Sequence, residues 1–534
     1  MSKKAKKLLI LLAAAQFIFT LDSTVMNVSI STLVQDLNTT VGDIQAAIAF
    51  YSLVMAAFMI AGAKIGDIIG RKRAFIVGMC IYGVGSSLTA LAPNVQVLKF
   101  GWSFLEGIGA ALAIPAMLSL IAGNFTKPDH RLKAYSTVAA MAGIAAGLGP
   151  IIGGFLTTYA TWRLAFAGEV LVVIWILFQQ GLIKDVKLEG KKMRLDKVGV
   201  ILSVAGLGVM VQGILMAGTY GLLRARQDYS LGSFTFTAGG ISPAIVGIAV
   251  GICILLGFAV WEAHQFRKGR DQLVNLDLFK IPAVSGGTLT ILSQQFVLGG
   301  LMYVMALFLQ IQQGMSAFQT GIVLLPLSLC LLLAASRGNV LAKRFDPRDV
   351  IRVGYLLILI GVLVIAARSR DIAADPVFPI SLAVAGAGIG LIGSQLQNLV
   401  QSSVTKEQSG EASGLMSTFQ NLGMSLGTAI AGVVLTGFLI SVSTQLIGEN
   451  TTLTGAQKQQ YTSALQSQAQ IVSDSALQSA LDGESPETAQ QVVQINAQAR
   501  AQALTYSFVT IAILGALGMA ATTRLPRRTV TSKA

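Results

Sequence analysis

Apolar and polar residues fall in long blocks along this chain, with little sign of the short periods that mark soluble amphipathic elements. Mostly apolar runs cover residues 8–32, 44–65, 74–93, 98–122, 133–157, 161–183, 198–218, 238–262, 283–311, 317–342, 350–367, 377–402, 413–441 and 503–523. A helix needs about 20 such residues to cross the hydrocarbon core of a bilayer. The pattern therefore predicts an all-α integral membrane protein with about 14 spanning helices.

The polar breaks alternate in charge. With "MSKKAKK" placed inside, every second break is basic: "GRKR", "KPDHRLK", "KDVKLEGKKMRLDK", "FRKGRD", "AKRFDPRDVIR" and, more weakly, "VTKEQSG". The breaks between them, such as "LAPNVQV", "TTYAT" and "QQGMSAF", are poor in Lys and Arg. Basic loops stay in the cytoplasm, so both termini are expected there, and "RLPRRTVTSKA" fits. The first run follows a basic start, as a signal peptide would. Its apolar stretch is longer than an h-region, lacks a small-residue cleavage site and is followed by many more spans, so it reads as a retained first helix.

Two breaks differ from the rest. Residues 219–237 form an outer loop in which Arg224 and Arg226 depart from the charge rule. Residues 442–500 are rich in Gln, Ser and Ala and predict one or two external amphipathic helices, with disorder as the alternative.

Composition supports the membrane reading: 53% of the 534 residues are hydrophobic and 12% charged, against about 25% charged in soluble domains. The net charge of +14 does not mark a nucleic-acid binder, because the basic residues lie between apolar runs instead of forming one stripe. Cys80, Cys253 and Cys330 lie in apolar runs and His130 and His264 stand alone, so neither a disulfide framework nor a metal site is expected. No "GxxxxGK[ST]" phosphate loop and no catalytic constellation occur, which argues against an ATP-driven pump and against an enzyme.

Certain polar positions carry more than topology. The break "GDIIGRKR" places Asp67, Gly70, Arg71, Lys72 and Arg73 between the second and third runs. It resembles the loop between helices 2 and 3 of the major facilitator superfamily, although Ala63 stands where that family usually has Gly. The resemblance implies a cytoplasmic gating loop in which the Asp caps a neighbouring helix and the basic residues pair with carboxylates of the adjoining bundle. "GNVLAKRFDPR" at 338–348 looks like a degenerate second copy, as expected for a fold of two related halves.

"GIAAGLGPIIGGFL" in the fifth run, with Gly149, Pro150, Gly153 and Gly154, resembles the antiporter motif of drug-exporting facilitators. In physical terms, the Pro frees a carbonyl and the glycines allow a second helix to approach. "LDSTVMNVSI" in the first run and "EASGLMSTFQNLGMSLGTAIAG" at 411–432 resemble signatures of the fourteen-spanning drug/proton antiporter family. That resemblance implies a major facilitator fold: a six-helix bundle over 1–185, two additional linking helices over 186–280, and a second six-helix bundle over 281–534 that includes the external segment 442–500.

An ionisable group at bilayer depth costs a few kcal/mol on insertion scales. Asp22, Glu106 and Glu169 are therefore functional candidates. At about 1.5 Å per residue, Asp22 lies roughly 20 Å from the inner end of its helix, and the two glutamates roughly 12 Å from the outer ends of theirs. Burial disfavours a carboxyl's charged form, so such groups can exchange protons. Compared with the family pattern, Ser103 replaces an Arg, Glu106 replaces a Gln and Glu169 replaces an Asn, while Trp162, Arg163 and Phe166 are kept. Lys99, Ser103 and Glu106 share one face of a regular α-helix, so Lys99 is expected to turn inward and pair with Glu106, either loosely through water or as a locked partner. Each acid has a structural alternative, a fixed pair or a hydrogen bond that holds its helix. Trp102, Arg163, Gln294, Gln295, Gln397, Asn398 and Gln420 are candidates to line a cavity or to bond helices together.

Together these features predict a monomeric, proton-driven antiporter in the plasma membrane. It would need no cofactor and would export amphipathic, cationic drugs, with protons and membrane lipids as its other partners. The alternatives are a lipid or single-metabolite exporter of the same fold, or a non-transporting membrane receptor.

Overall fold

The structure is a computed structural model that describes residues 1–527 apart from 126, 186–194, 233, 271, 369–374, 405–407, 469–476, 479, 480 and 482–484. Its long helices are α1 Lys3–Val28, α2 Val41–Ile69, α3 Arg71–Ala90, α4 Val95–Asn124, α5 Pro128–Tyr159, α6 Arg163–Phe178, α7 Lys197–Tyr220, α8 Pro243–Arg267, α9 Pro282–Gln312, α10 Ala317–Ser336, α11 Pro347–Arg368, α12 Val377–Ser402, α13 Ser409–Glu449 and α14 Pro486–Ala521. Among the described residues, 13 helices are long and apolar enough to span a bilayer. The run at 161–183 forms the shorter α6, of 16 residues, followed by a 3₁₀ turn over Gln180–Leu182.

Polar residues start many of these helices. Thr40 accepts the Asp43 amide at the start of α2, Asp196 accepts the Gly199 amide at α7, and Ser316 with Gln319 closes a capping box on α10. Two helices contain a wider π-helical stretch, Lys99–Glu106 in α4 and Phe308–Gln312 in α9.

Odd- and even-numbered helices run in opposite directions, giving a near face with Lys3, Gly70, Asp185 and Arg344, and a far face with Asp36, Leu91 and Tyr159. On the far face, the break at 219–237 carries a small hairpin, β1 Tyr229–Leu231 paired antiparallel with β2 Phe234–Phe236. Of the one or two helices expected in 442–500, the described residues show Gly455–Gln468. Helix α13 continues unbroken to Glu449, α14 already begins at Pro486, and one separate helix, Gly455–Gln468, lies between them. A small core of Ile447, Leu453 and Ile495, with Leu446 and Tyr461 packed against it, ties these parts together; the rest of the expected helix falls outside the described residues.

Contacts between helices from the two ends of the chain are dense toward the far face. Gln310 accepts the Ser31 amide (3.1 Å) and donates to the Val28 carbonyl (2.9 Å), and the Phe318 amide donates to Thr158 (3.0 Å). Gln45 donates to the carbonyls of Thr428 and Ala429 (3.0 and 3.1 Å) and accepts from the Tyr303 hydroxyl (3.1 Å). Helix α7 packs against both α2 and α13 through a cluster of Leu53, Ala57, Leu207 and Val211, with Leu422 and Leu426 packed on it.

Candidate functional site

The three membrane carboxylates converge. Asp22 of α1, Glu106 at the end of the π stretch in α4, and Glu169 of α6 are 0%, 0% and 2% exposed. One oxygen of each lies within 4.8 Å of the others. Each carboxylate is held on one side only. The Trp102 indole N–H donates to Asp22 Oδ1 (2.6 Å), the Thr89 hydroxyl to Glu106 Oε1 (3.1 Å), and the hydroxyls of Tyr82 and Ser86 to Glu169 Oε2 (2.9 and 3.1 Å). The other oxygens, Asp22 Oδ2, Glu106 Oε2 and Glu169 Oε1, are buried without a hydrogen-bond partner.

Close packing creates this arrangement. A Cβ at Gly85 would lie 2.6 Å from the Gly101 carbonyl and 2.7 Å from Glu106 Cγ, so only glycine lets α3 approach α4 closely enough for Thr89 to meet Glu106. Trp102 is fixed by a parallel stack on Tyr51, with ring centroids 4.8 Å apart. Such a stack contributes about 1 kcal/mol beyond its burial.

None of the ion pairs among the described residues reaches the cluster. Two ionised carboxylates at that separation repel by about 3 kcal/mol at an effective dielectric of 20. Three buried anions at such separations are mutually unfavourable, and protons or a cation would relieve their repulsion. Three carboxylate oxygens are also a donor set that suits hard cations, which a sequence search centred on Cys and His did not consider.

The expected Lys99–Glu106 pair does not form. Lys99 Nζ lies 2.7 Å from Asp43 Oδ1, and Ser103 donates to the Ala47 carbonyl. The cause is the π winding of Lys99–Glu106, whose wider turns break the i, i+4, i+7 alignment of a regular α-helix. Arg163 also lies away from any cavity. It covers the Trp162 ring at 4.4 Å, pairs with Asp36 at 3.1 Å and donates to the Ala92 carbonyl.

Among the remaining polar candidates, Gln294 donates to the Ile389 carbonyl (2.9 Å) and so links α9 to α12. Gln295 is buried, Gln397 and Gln420 are exposed, and the side chain of Asn398 lies outside the described residues. None of Trp102, Arg163, Gln294, Gln295, Gln397 and Gln420 lines a separate cavity of about 910 Å³ at the far-face ends of α2, α4 and α7. Tyr51, Tyr82, Ser86 and Thr89 were missed at the carboxylates. Their only signal in the sequence was a hydroxyl within an apolar run.

At the near face, Gly70 has φ +98° and ψ +137°, a region open essentially only to glycine. Asp67 pairs with Arg71 of its own loop (2.8 Å), and Asp185, at the end of the sixth-helix region, accepts the Lys72 amide (3.2 Å). Asp185 thus caps the first turn of α3, and the tight Gly70 turn brings the Lys72 amide to it. Lys72 and Arg73 begin α3 on this face.

The motif Gly149, Pro150, Gly153 and Gly154 forms a seam. A Cβ on Gly149 would overlap the Thr24 hydroxyl, and one on Gly153 would come within 2.9 Å of Val25 Cα. On its other side, Gly154 abuts the Ala317 carbonyl, and Gly321 of α10 abuts the Pro150 carbonyl. Helix α5 therefore touches α1 and α10 backbone to backbone.

The family model for the Major Facilitator Superfamily matches residues 12–428. The chain belongs to this superfamily. As a superfamily member with many spanning helices it is a multi-pass membrane transporter. Among curated relatives, it is 29% identical over 447 residues to the probable actinorhodin transporter of Streptomyces coelicolor, covering 82% of this chain and 73% of that one. It is 26% identical over 423 residues to the multidrug resistance protein Stp of Mycobacterium tuberculosis, covering 79% of this chain and 74% of Stp. The crystal structure of a bacterial homologue of the human lysosomal transporter Spinster shares the superfamily fold, with a TM-score of 0.60 at 14% identity and 98% of each chain covered.

Proposed function

We propose that this superfamily member exports amphipathic, cationic drugs across the plasma membrane in exchange for protons, with its near face and both termini in the cytoplasm. The observation that carries this reading is the set of three fully buried carboxylates, each with one oxygen free of hydrogen bonds and no cation paired to the set among the described residues. Such a cluster can release protons to accept a cation, or the reverse. The names of the relatives, an actinorhodin transporter and a multidrug resistance protein, support drug export. The basic loops of the near face support the orientation.

In the exchange cycle, a proton arriving from outside neutralises a carboxylate and weakens its hold on the cation, which leaves outward. Loss of the proton to the cytoplasm then resets the site. Residues 1–185 and 281–534 act as two bundles that rock against each other, with the helices of 186–280 linking them. A single chain suffices, driven by the proton gradient without a cofactor.

The test is proton release from the purified protein on adding a lipophilic cation, in wild type and in Glu106→Gln, Glu169→Gln and Asp22→Asn. Release from wild type that is lost in at least one variant is the expected result. Absence of release from wild type with every cation tried would sink the exchange reading and turn attention to lipid or metabolite cargo.

A further inference from the structure

The cavity of about 910 Å³ does not include the carboxylate cluster, but its lining shares the π stretch of α4 with Glu106. Its walls are the far-face ends of α2, α4 and α7, with Tyr303 of α9 and Thr436 of α13 also contributing. Depth follows from helix rise. Phe50 and Phe104 lie nine residues inside the ends of α2 and α4, which is about 14 Å, close to one leaflet of a hydrocarbon core about 30 Å thick.

Thr40, Gln96 and Thr219 line the cavity near the far-face ends of their helices, and Phe50, Phe104 and Leu215 line it deeper together with Gln212. Helices α4 and α7 each pack on α2, and Phe100 of α4, which lines the cavity, is 52% exposed.

The Asp43–Lys99 pair lines the same cavity, part-exposed, so one anion and one cation remain within reach of a ligand. A headgroup that carries both a phosphate and an ammonium complements such a pair, the phosphate toward Lys99 and the ammonium toward Asp43.

We propose that this cavity binds one zwitterionic phospholipid of the outer leaflet, with its headgroup at Asp43–Lys99 and an acyl chain between α4 and α7. The assignment of the leaflet rests on the orientation adopted above; the lipid contacts do not. The size suits the role, since ligand cavities commonly hold 300–1,000 Å³. The π stretch gives the site a mechanical link to transport. Lys99, Phe100 and Phe104 face the cavity, while Trp102 and Glu106 of the same stretch face the carboxylates. A lipid seated there presses on the helix that carries Glu106.

The experiment uses the full-length protein, delipidated in detergent and titrated with phosphatidylethanolamine, with bound lipids counted by native mass spectrometry. Wild type and a control, Ile360→Trp on the exposed surface of α11, are each expected to keep one phosphatidylethanolamine under activation that strips loosely held surface lipid. Leu215→Trp, which fills the cavity, and the double variant Asp43→Asn, Lys99→Gln, which leaves its shape intact, are each expected to lower retention about tenfold or more. Equal retention by wild type and both cavity variants, or none by wild type, overturns the proposal. No drug and no proton gradient are needed, so this outcome is independent of the proton-release test. A carboxyl-terminal tag probed with an impermeant reagent on intact cells reads the orientation, and a tag reached from outside would reassign the leaflet alone.

Discussion

At the residue scale, the proposed exchange rests on side chains that hold a carboxylate on one side only. Trp102 is the clearest case, because Phe in its place keeps the stack on Tyr51 and removes only the donor to Asp22. A hydrogen bond to an ionised group is worth about 1.5–3 kcal/mol. Trp102→Phe is therefore expected to weaken binding of a cationic drug about tenfold or more by calorimetry, with little change in melting temperature. Gly70→Ala should act in the opposite manner, through the fold. The new Cβ would lie 2.8 Å from Asp185 Oδ2 in a backbone region that alanine avoids, a strain of about 1–3 kcal/mol, seen as a lower melting temperature of the purified protein. The depth of Asp22, Glu106 and Glu169 was legible in the sequence because it follows from counting residues. Their meeting was not, because that depends on how each helix is rotated about its axis. The Lys99 expectation failed for a related reason, since no apolar pattern announces a π turn. Tyr82 and Thr89 were illegible because a lone hydroxyl in an apolar run reads as packing.

At the element scale, glycine contacts and buried amides set which helices can move past one another. Gly154→Val would drive a branched side chain into the Ala317 carbonyl at the α5–α10 seam. Overpacking of this kind costs about 1–3 kcal/mol, so reduced thermal stability together with reduced export is expected. Gln45→Leu removes two bonds from α2 to α13 and the acceptor for Tyr303. Spin labels at the far ends of α2 and α13 should then show a population at longer distance; an unchanged distribution would mean that Gln45 does not hold that face shut. The spanning helices were legible from length alone, but the ends of α13 and α14 were not. Hydropathy marks where polarity rises, and "QQVVQINAQARAQAL" is polar yet rich in the strong helix formers Ala and Gln, so the helix continues past the membrane boundary. The hairpin over Tyr229–Phe236 was hidden by its brevity, although "YSL" and "FTF" alternate as strands do.

At the scale of the whole molecule, the membership read from "GDIIGRKR" and "GPIIGG" holds over most of the chain, because those motifs mark turns and seams that the fold needs wherever it occurs. The shortest of the fourteen long helices is α6. Its 16 residues rise about 24 Å, while the surrounding core is about 30 Å thick. Its outer surface is apolar and open, with Leu171 and Phe178 exposed, so lipids beside it cannot keep their full chain length without drawing the polar ends of the helix into hydrocarbon. The bilayer must dip on that flank, at a cost of a fraction of a kcal/mol per ångström of mismatch. Export by proteoliposomes is therefore expected to fall as lipid chains lengthen beyond those of an average membrane, and an extension of α6 by about one turn should restore it. On that flank the protein acts as a gauge of membrane thickness.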